Sequence, residues 1–193
     1  MSRSVLLVMD MMNDLIHPDG PNGATYAPTI AREKILERTA ELIARARAAE
    51  VRVGYVRVGF SPDYVQCPPN SPVFSGARSR GIFKLGTWGT EVHAAIAPLE
   101  GDLDIVKHRV SPFYGTSLEP TLRALGAQRL YLTGVSTNGV VHTGAREAHD
   151  RDYEAVVVED CCAGATDEEH RSALFCVKRF AKVQPAAEVD FAA

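Results

Sequence analysis

The sequence predicts a three-layer α/β/α fold, a parallel sheet with helices on both faces. Two observations carry this. Short apolar, β-branched runs alternate with longer amphipathic segments along the whole chain. The first of those runs, Val5-Leu6-Leu7-Val8-Met9, is continuously apolar, as a strand covered on both faces must be.

The elements follow in order. After the first strand, Ile30, Ile35, Leu36, Leu42, Ile43 and Ala46 recur near helical spacing, which predicts one helix from Thr29 to Ala49. Val51 to Val58 returns to strand character. From Gly59 to Gly89 the chain is rich in Pro, Gly and Ser without a period, too long for a simple connection and so a candidate lid or specificity loop. Leu103 to Val106 is a third strand, and Thr116 to Leu125 a helix stopped by Gly126. Leu130 to Thr133 is a fourth strand, entering a helix near Asn138 to Asp150. Ala155 to Val158 is a fifth. Thr166 then caps a helix reaching about Phe180, with Glu169 completing a capping box. Ala181 to Val183 supplies a sixth, edge strand. With no repeat, linker or low-complexity segment, residues 1–193 are expected to form a single domain.

Composition narrows the function. A net charge of -3 and no Lys/Arg run give no electrostatic footprint for nucleic acid. No stretch approaches ~18 apolar residues, and no signal-peptide pattern opens the chain, so no membrane partner and a cytoplasmic location are expected. Cys67, Cys161, Cys162 and Cys176 match no zinc spacing and read as free thiols.

In open parallel sheets, ligands bind beyond the carboxyl ends of the strands, where strand order reverses. Three segments fall at such ends: Asp10 after the first strand, Lys107 after the third, and Gly134-Val135-Ser136-Thr137 after the fourth. These segments resemble the isochorismatase-like hydrolases. Val8-Met9-Asp10-Met11-Met12-Asn13-Asp14 is similar to the family's opening, and Val106-Lys107-His108-Arg109-Val110-Ser111-Pro112-Phe113-Tyr114-Gly115-Thr116 to its lysine segment. Gly134-Val135-Ser136-Thr137-Asn138, with Ala145-Arg146-Glu147-Ala148 and Asp152-Tyr153 beyond it, looks like the segment carrying the nucleophile. Val156 to Ala163 and His170 match the segment after that.

The resemblance implies a Rossmann-like sheet of six parallel strands in the order 3-2-1-4-5-6, a homo-oligomer (dimer or tetramer) and a small-molecule substrate. It also implies a triad of Asp, Lys and Cys, for which Asp10 and Lys107 match the first two. The family cysteine stands six residues after the glycine of the turn, and here that position is Val140, with Ala145 and Ala148 confirming the register. Valine offers no nucleophilic atom, so the usual thiolate route is closed. The resemblance further implies a cis Val135-Ser136 peptide and a turn of Val135, Ser136 and Gly139 that aims N–H groups at a substrate oxygen. Metal-using relatives carry an Asp-x-His pair and a further His after the second strand. Phe60-Ser61-Pro62-Asp63-Tyr64-Val65 stands there instead, so neither metal nor other cofactor is expected.

Trp88, Phe113, Asn13 and Arg57 are the candidates for substrate contact, Trp88 as a pocket wall and Arg57 for a carboxylate; Arg78, Arg80, Lys84 and Arg109 are further carboxylate candidates. Three readings stay open. One is a cysteine-free hydrolase like the family's vinyl-ether-cleaving members, in which the aspartate acts as general acid. Those members carry glycine at the cysteine position and a Tyr-Ala-His run, unlike Val140 and Ser136-Thr137-Asn138 here. The second is an amide or carbamoyl hydrolase with a relocated nucleophile, for which Cys67 is the cysteine nearest the expected mouth. The third is a pseudoenzyme or small-ligand-binding protein.

Overall fold

A computed structural model describes residues 3–192. Six strands, β1 (Ser4–Met9), β2 (Arg52–Val58), β3 (Leu103–Lys107), β4 (Arg129–Val135), β5 (Glu154–Ala163) and β6 (Lys182–Gln184), form one sheet. Every pairing is parallel and the order is β3-β2-β1-β4-β5-β6. Among the described residues seven α-helices accompany them: α1 (Asn13–Ile16), α2 (Gly23–Arg32), α3 (Ile35–Ala48), α4 (Ala77–Arg80), α5 (Leu118–Ala124), α6 (His142–His149) and α7 (Asp167–Val177).

The all-apolar β1 run is explained by its position at the centre of the sheet. Leu6 and Val8 join the layer made with Ile35, Leu42, Ile43 and Ala46 of α3. Val5, Leu7 and Met9 face the opposite layer, with Leu118 and Leu122 of α5, Ala145 and Ala148 of α6, and Leu174 and Val177 of α7. Alternate side chains of one strand thus serve two cores. None of the described helices is long and apolar enough to cross a membrane.

The single helix expected from Thr29 to Ala49 is two. α2 begins earlier, at Gly23, and the chain breaks at Glu33-Lys34, where Lys34 takes a left-handed φ of 52°. Ile30 and Ile35 are five residues apart, off the i+3/i+4 stripe, so a break lets both side chains face the sheet. Pro28 lies inside α2, and a proline obscures a helix to a reader of sequence. The last long helix begins as expected, the Thr166 hydroxyl accepting from the Glu169 N–H at 3.1 Å. It stops at Val177 rather than Phe180. Helix is interrupted after β4 too, where Thr137–Val141 form a wide turn before α6.

The 59–89 stretch lacks a period because it folds around its own small core. Phe60, Tyr64, Phe74, Ala77, Ile82 and Phe83 cluster there with Met12 and Val58. The Phe83 N–H also donates to Asp14 Oδ2 at 2.6 Å, tying the stretch to α1.

β1 and β4 converge at their carboxyl ends, where Met9 pairs with Gly134. Gly134 has φ 130°, and a Cβ added there would lie 2.0 Å from the Met9 carbonyl oxygen. Gly134→Ala is expected to cost about 2–3 kcal/mol through strain and forced separation of the strands. Urea denaturation checks this, as a lowered midpoint with an unchanged slope.

Candidate functional site

β1 is the switch point: its neighbours β2 and β4 connect in opposite directions across the sheet. A cavity of about 460 Å³ opens over these carboxyl ends, lined among others by Asp10, Tyr26, Arg80, Lys107, Ser136 and Val140.

Asp10 ends β1 in a left-handed conformation, φ 57°, with its N–H bonded to the Val56 carbonyl at 2.7 Å. Asp is among the few residues that tolerate this geometry, through its short polar side chain. One carboxylate oxygen accepts the Val58 N–H at 2.9 Å. The other meets Lys107 Nζ at 2.8 Å, with both side chains almost wholly buried. Lys107 Nζ also donates to the Arg109 carbonyl at 3.0 Å. The lysine on β3 therefore reaches across the end of β2 to the aspartate on β1.

Burial pushes the Asp10 carboxyl up from the ordinary carboxylate range. The Lys107 charge and hydrogen bond, and then the Val58 N–H, pull the other way without cancelling it. A carboxyl that holds its proton more firmly than usual is suited to general acid chemistry.

Val140 is 2% exposed and turns into the cavity wall beside this pair. The Val135-Ser136 peptide is cis. Val135 and Ser136 line the cavity, but the Gly139 N–H is already bonded to the Ser136 carbonyl at 3.1 Å. Gly139 matters for space instead, since a Cβ added there would lie 2.6 Å from Ser136 Oγ.

The four substrate-contact candidates do not line this cavity. Arg57 forms a two-pronged bond to Asp104, at 2.8 and 2.7 Å, and donates to the Thr90 carbonyl, so it staples β2 to β3. Asn13 is buried and donates to the Trp88 carbonyl at 2.9 Å. The Trp88 ring, half exposed, packs edge-on to His17, and Phe113 is buried against Tyr153. Cys67 donates to the Phe74 carbonyl at 3.2 Å and borders a separate hollow with His108, Arg109 and Tyr114. Cys161 and Cys162 are buried, and burial pushes the Cys161 thiol up to about 12. No cysteine lines the cavity over Asp10, and among the described residues no group of three His, Cys, Asp or Glu side chains converges to hold a metal.

Of the arginines, Arg80 alone lines the cavity, held by the Pro21 carbonyl and Asn22 Oδ1 at 3.3 and 3.2 Å. Phe74, Ile82 and Phe83 from the same stretch give an apolar wall. Sequence reasoning missed Tyr26, Asn22 and Thr25, all near the start of α2. The helical period from Gly23 was broken by Pro28, and nothing else marked them.

Comparison with known proteins agrees with this fold. The isochorismatase domain model matches residues 4–188. The chain is 33% identical over 169 residues to the ureidoacrylate amidohydrolase RutB of Methylorubrum extorquens, covering 81% of this chain and 68% of that protein. It is 30% identical over 188 residues to YecD of Escherichia coli O157:H7, an isochorismatase family protein, covering 96% and 94% of the two chains. Among solved structures, an isochorismatase family protein from Desulfovibrio vulgaris matches with a TM-score of 0.86 at 25% identity, over 97% of this chain and 96% of that one. The N-carbamoylsarcosine amidase of Thermoplasma acidophilum matches with a TM-score of 0.78 at 30% identity, over 97% and 98%. The chain belongs to the isochorismatase family of hydrolases.

Proposed function

We propose that this hydrolase cleaves a small carboxylated vinyl ether, or a closely related compound, without a thiol nucleophile. Asp10 acts as general acid and then base, and Lys107 is its electrostatic partner. The observation that carries this is the buried Asp10–Lys107 pair in a cavity where no cysteine is present and Val140 fills the wall.

Protonated Asp10 gives its proton to the terminal vinyl carbon, and the double-bond electrons form the new C–H bond. Charge develops on the ether carbon as an oxocarbenium ion. Water adds to it and its proton returns to Asp10. The hemiketal then collapses to a ketone and an alcohol. Arg80 supplies a two-pronged partner for the substrate carboxylate, and the Phe74, Ile82 and Phe83 wall accepts an apolar body.

RutB and N-carbamoylsarcosine amidase favour a second reading, hydrolysis of an amide or carbamoyl bond. In this chain that chemistry needs a nucleophile other than the family thiol. Turnover of a panel of isochorismate-type vinyl ethers, small amides and carbamoyl compounds, before and after iodoacetamide, separates the readings. Expected is vinyl-ether cleavage untouched by alkylation and by Cys67→Ser. Amide cleavage lost on alkylation would support the relocated nucleophile. No turnover by any compound would favour a binding protein.

A further inference from the structure

We propose that the hydroxyls of Tyr26 and Ser136 together hold the attacking water against Val140, a positioning role resting on the hydrolytic reading above. Both residues line the cavity with Asp10. Ser136 comes from the turn after β4 and Tyr26 from α2, so the pair bridges two walls of the site.

Ser136 Oγ sits close to the glycine that precedes Val140. It lies over Gly139, where a Cβ would come within 2.6 Å, which puts the hydroxyl one residue from Val140. A reacting water needs about two to four polar partners. The cavity lining is largely apolar, with Val110, Val135, Phe74 and Ile82; the Asn138 amide also lines it but is exposed and donates to Glu169 at 3.3 Å, which leaves the Tyr26 and Ser136 hydroxyls to orient a neutral molecule there. Thr25, the other hydroxyl of the lining, is exposed. Asp10 already accepts the Val58 N–H and the Lys107 ammonium, one on each oxygen. It can take a proton from the water but gives little further orientation.

The phenol also stays a donor. Burial pushes its pKa up; the Ser136 hydroxyl opposes this, while the Glu169 and Asp10 carboxylates reinforce it. Tyr26 therefore remains neutral beside Asp10 and adds no charge to compete with Lys107. In the reaction, the water oxygen bonds to the oxocarbenium carbon. The proton it loses goes to Asp10, and both hydroxyls end as they began.

The test has two arms. Crystals of wild type and Tyr26→Phe, at a resolution that shows ordered water, report the site directly. The inference expects a water bonded to Tyr26 Oη and Ser136 Oγ against Val140, lost or displaced in Tyr26→Phe. With a 2-alkoxyacrylate as probe, added methanol competes with water for the oxocarbenium ion, and mass spectrometry counts the mixed ketal. Tyr26→Phe and Ser136→Ala are expected to lower kcat about 10- to 100-fold with KM little changed, and to raise the share trapped by methanol severalfold. Gly139→Ala, which displaces the Ser136 hydroxyl, should behave like Ser136→Ala.

The two readings fail separately. A water in that place with no vinyl-ether cleavage by wild type supports this inference and overturns the reaction assigned above. Cleavage by wild type with no such water, or with rate and methanol share unchanged in Tyr26→Phe, overturns this inference and leaves the reaction standing. Neither water nor cleavage overturns both.

Discussion

Asp10→Asn is expected to lower kcat/KM for vinyl-ether cleavage by at least about 100-fold, on the order of 1,000-fold if the proton transfer is rate-limiting. The asparagine keeps the shape of the side chain and can still accept the Val58 N–H that Asp10 Oδ1 accepts at 2.9 Å. It has no acidic proton to give the vinyl carbon. Because the amide is close to isosteric, substrate affinity should change far less than rate. Steady-state kinetics with calorimetric titration of the unreacted substrate on Asp10→Asn checks this. Retained binding with lost turnover identifies an acid, whereas equal loss of both would reduce Asp10 to a binding group.

Lys107→Met is expected to produce the largest loss of stability, about 3–5 kcal/mol near pH 8, by leaving a buried carboxylate without its partner. Lys107 is 1% exposed and Asp10 5%, so water compensates poorly for the lost ammonium. The loss should depend on pH, and the sign follows from linkage. Burial already raises the Asp10 pKa in the folded state above its unfolded value, and without Lys107 the opposing pull disappears. A raised carboxyl means the native state binds a proton more tightly than the unfolded chain. Stability of the variant therefore falls as pH rises from the unfolded value, about 4, through the raised native one. At low pH Asp10 is neutral in both states and the loss should shrink. The double variant Asp10→Asn/Lys107→Met should recover much of it, since removing both partners leaves no uncompensated charge. Denaturation of all three variants at two pH values measures this.

The sheet was legible because its strands announce themselves. Val5 to Met9 has no polar residue to present to solvent, and β4 and β5 centre on the apolar runs Leu130 to Leu132 and Ala155 to Val158. Strand order was not legible from these runs. It followed from the motif resemblance, and the parallel registers of β1 with both β2 and β4 agree with it. Asp10 and Lys107 were visible as polar residues closing buried strands, where a charge demands a reason. Their contact was not, because the two residues lie 97 positions apart and are brought together only by β2 lying between β1 and β3.

What remained hidden was mostly side-chain direction. Arg57 alternates along β2 like any strand residue, and nothing local says that Asp104 on the neighbouring strand will take its guanidinium. Trp88 and Phe113 lie in segments that border the site, yet their rings pack elsewhere. Arg80 was one cation among several in an aperiodic stretch until Phe60, Tyr64 and Phe74 formed the small core that aims it at the cavity. Tyr26 was hidden for the opposite reason. It belongs to a regular helix, but Pro28 two residues later masked that helix.

The central claim is that the site works by an acid held on Asp10 and not by a thiolate. The pH dependence of kcat/KM for the vinyl ether tests it most directly, since it reports the free enzyme's essential groups. The acid mechanism predicts full activity at low pH and a tenfold fall per pH unit above a single ionisation, placed above the ordinary carboxylate range by the burial of Asp10 and absent from the residual activity of Asp10→Asn. A rate that instead rises with pH across that range, and disappears on alkylation, would mean a deprotonated nucleophile does the work and would contradict the account.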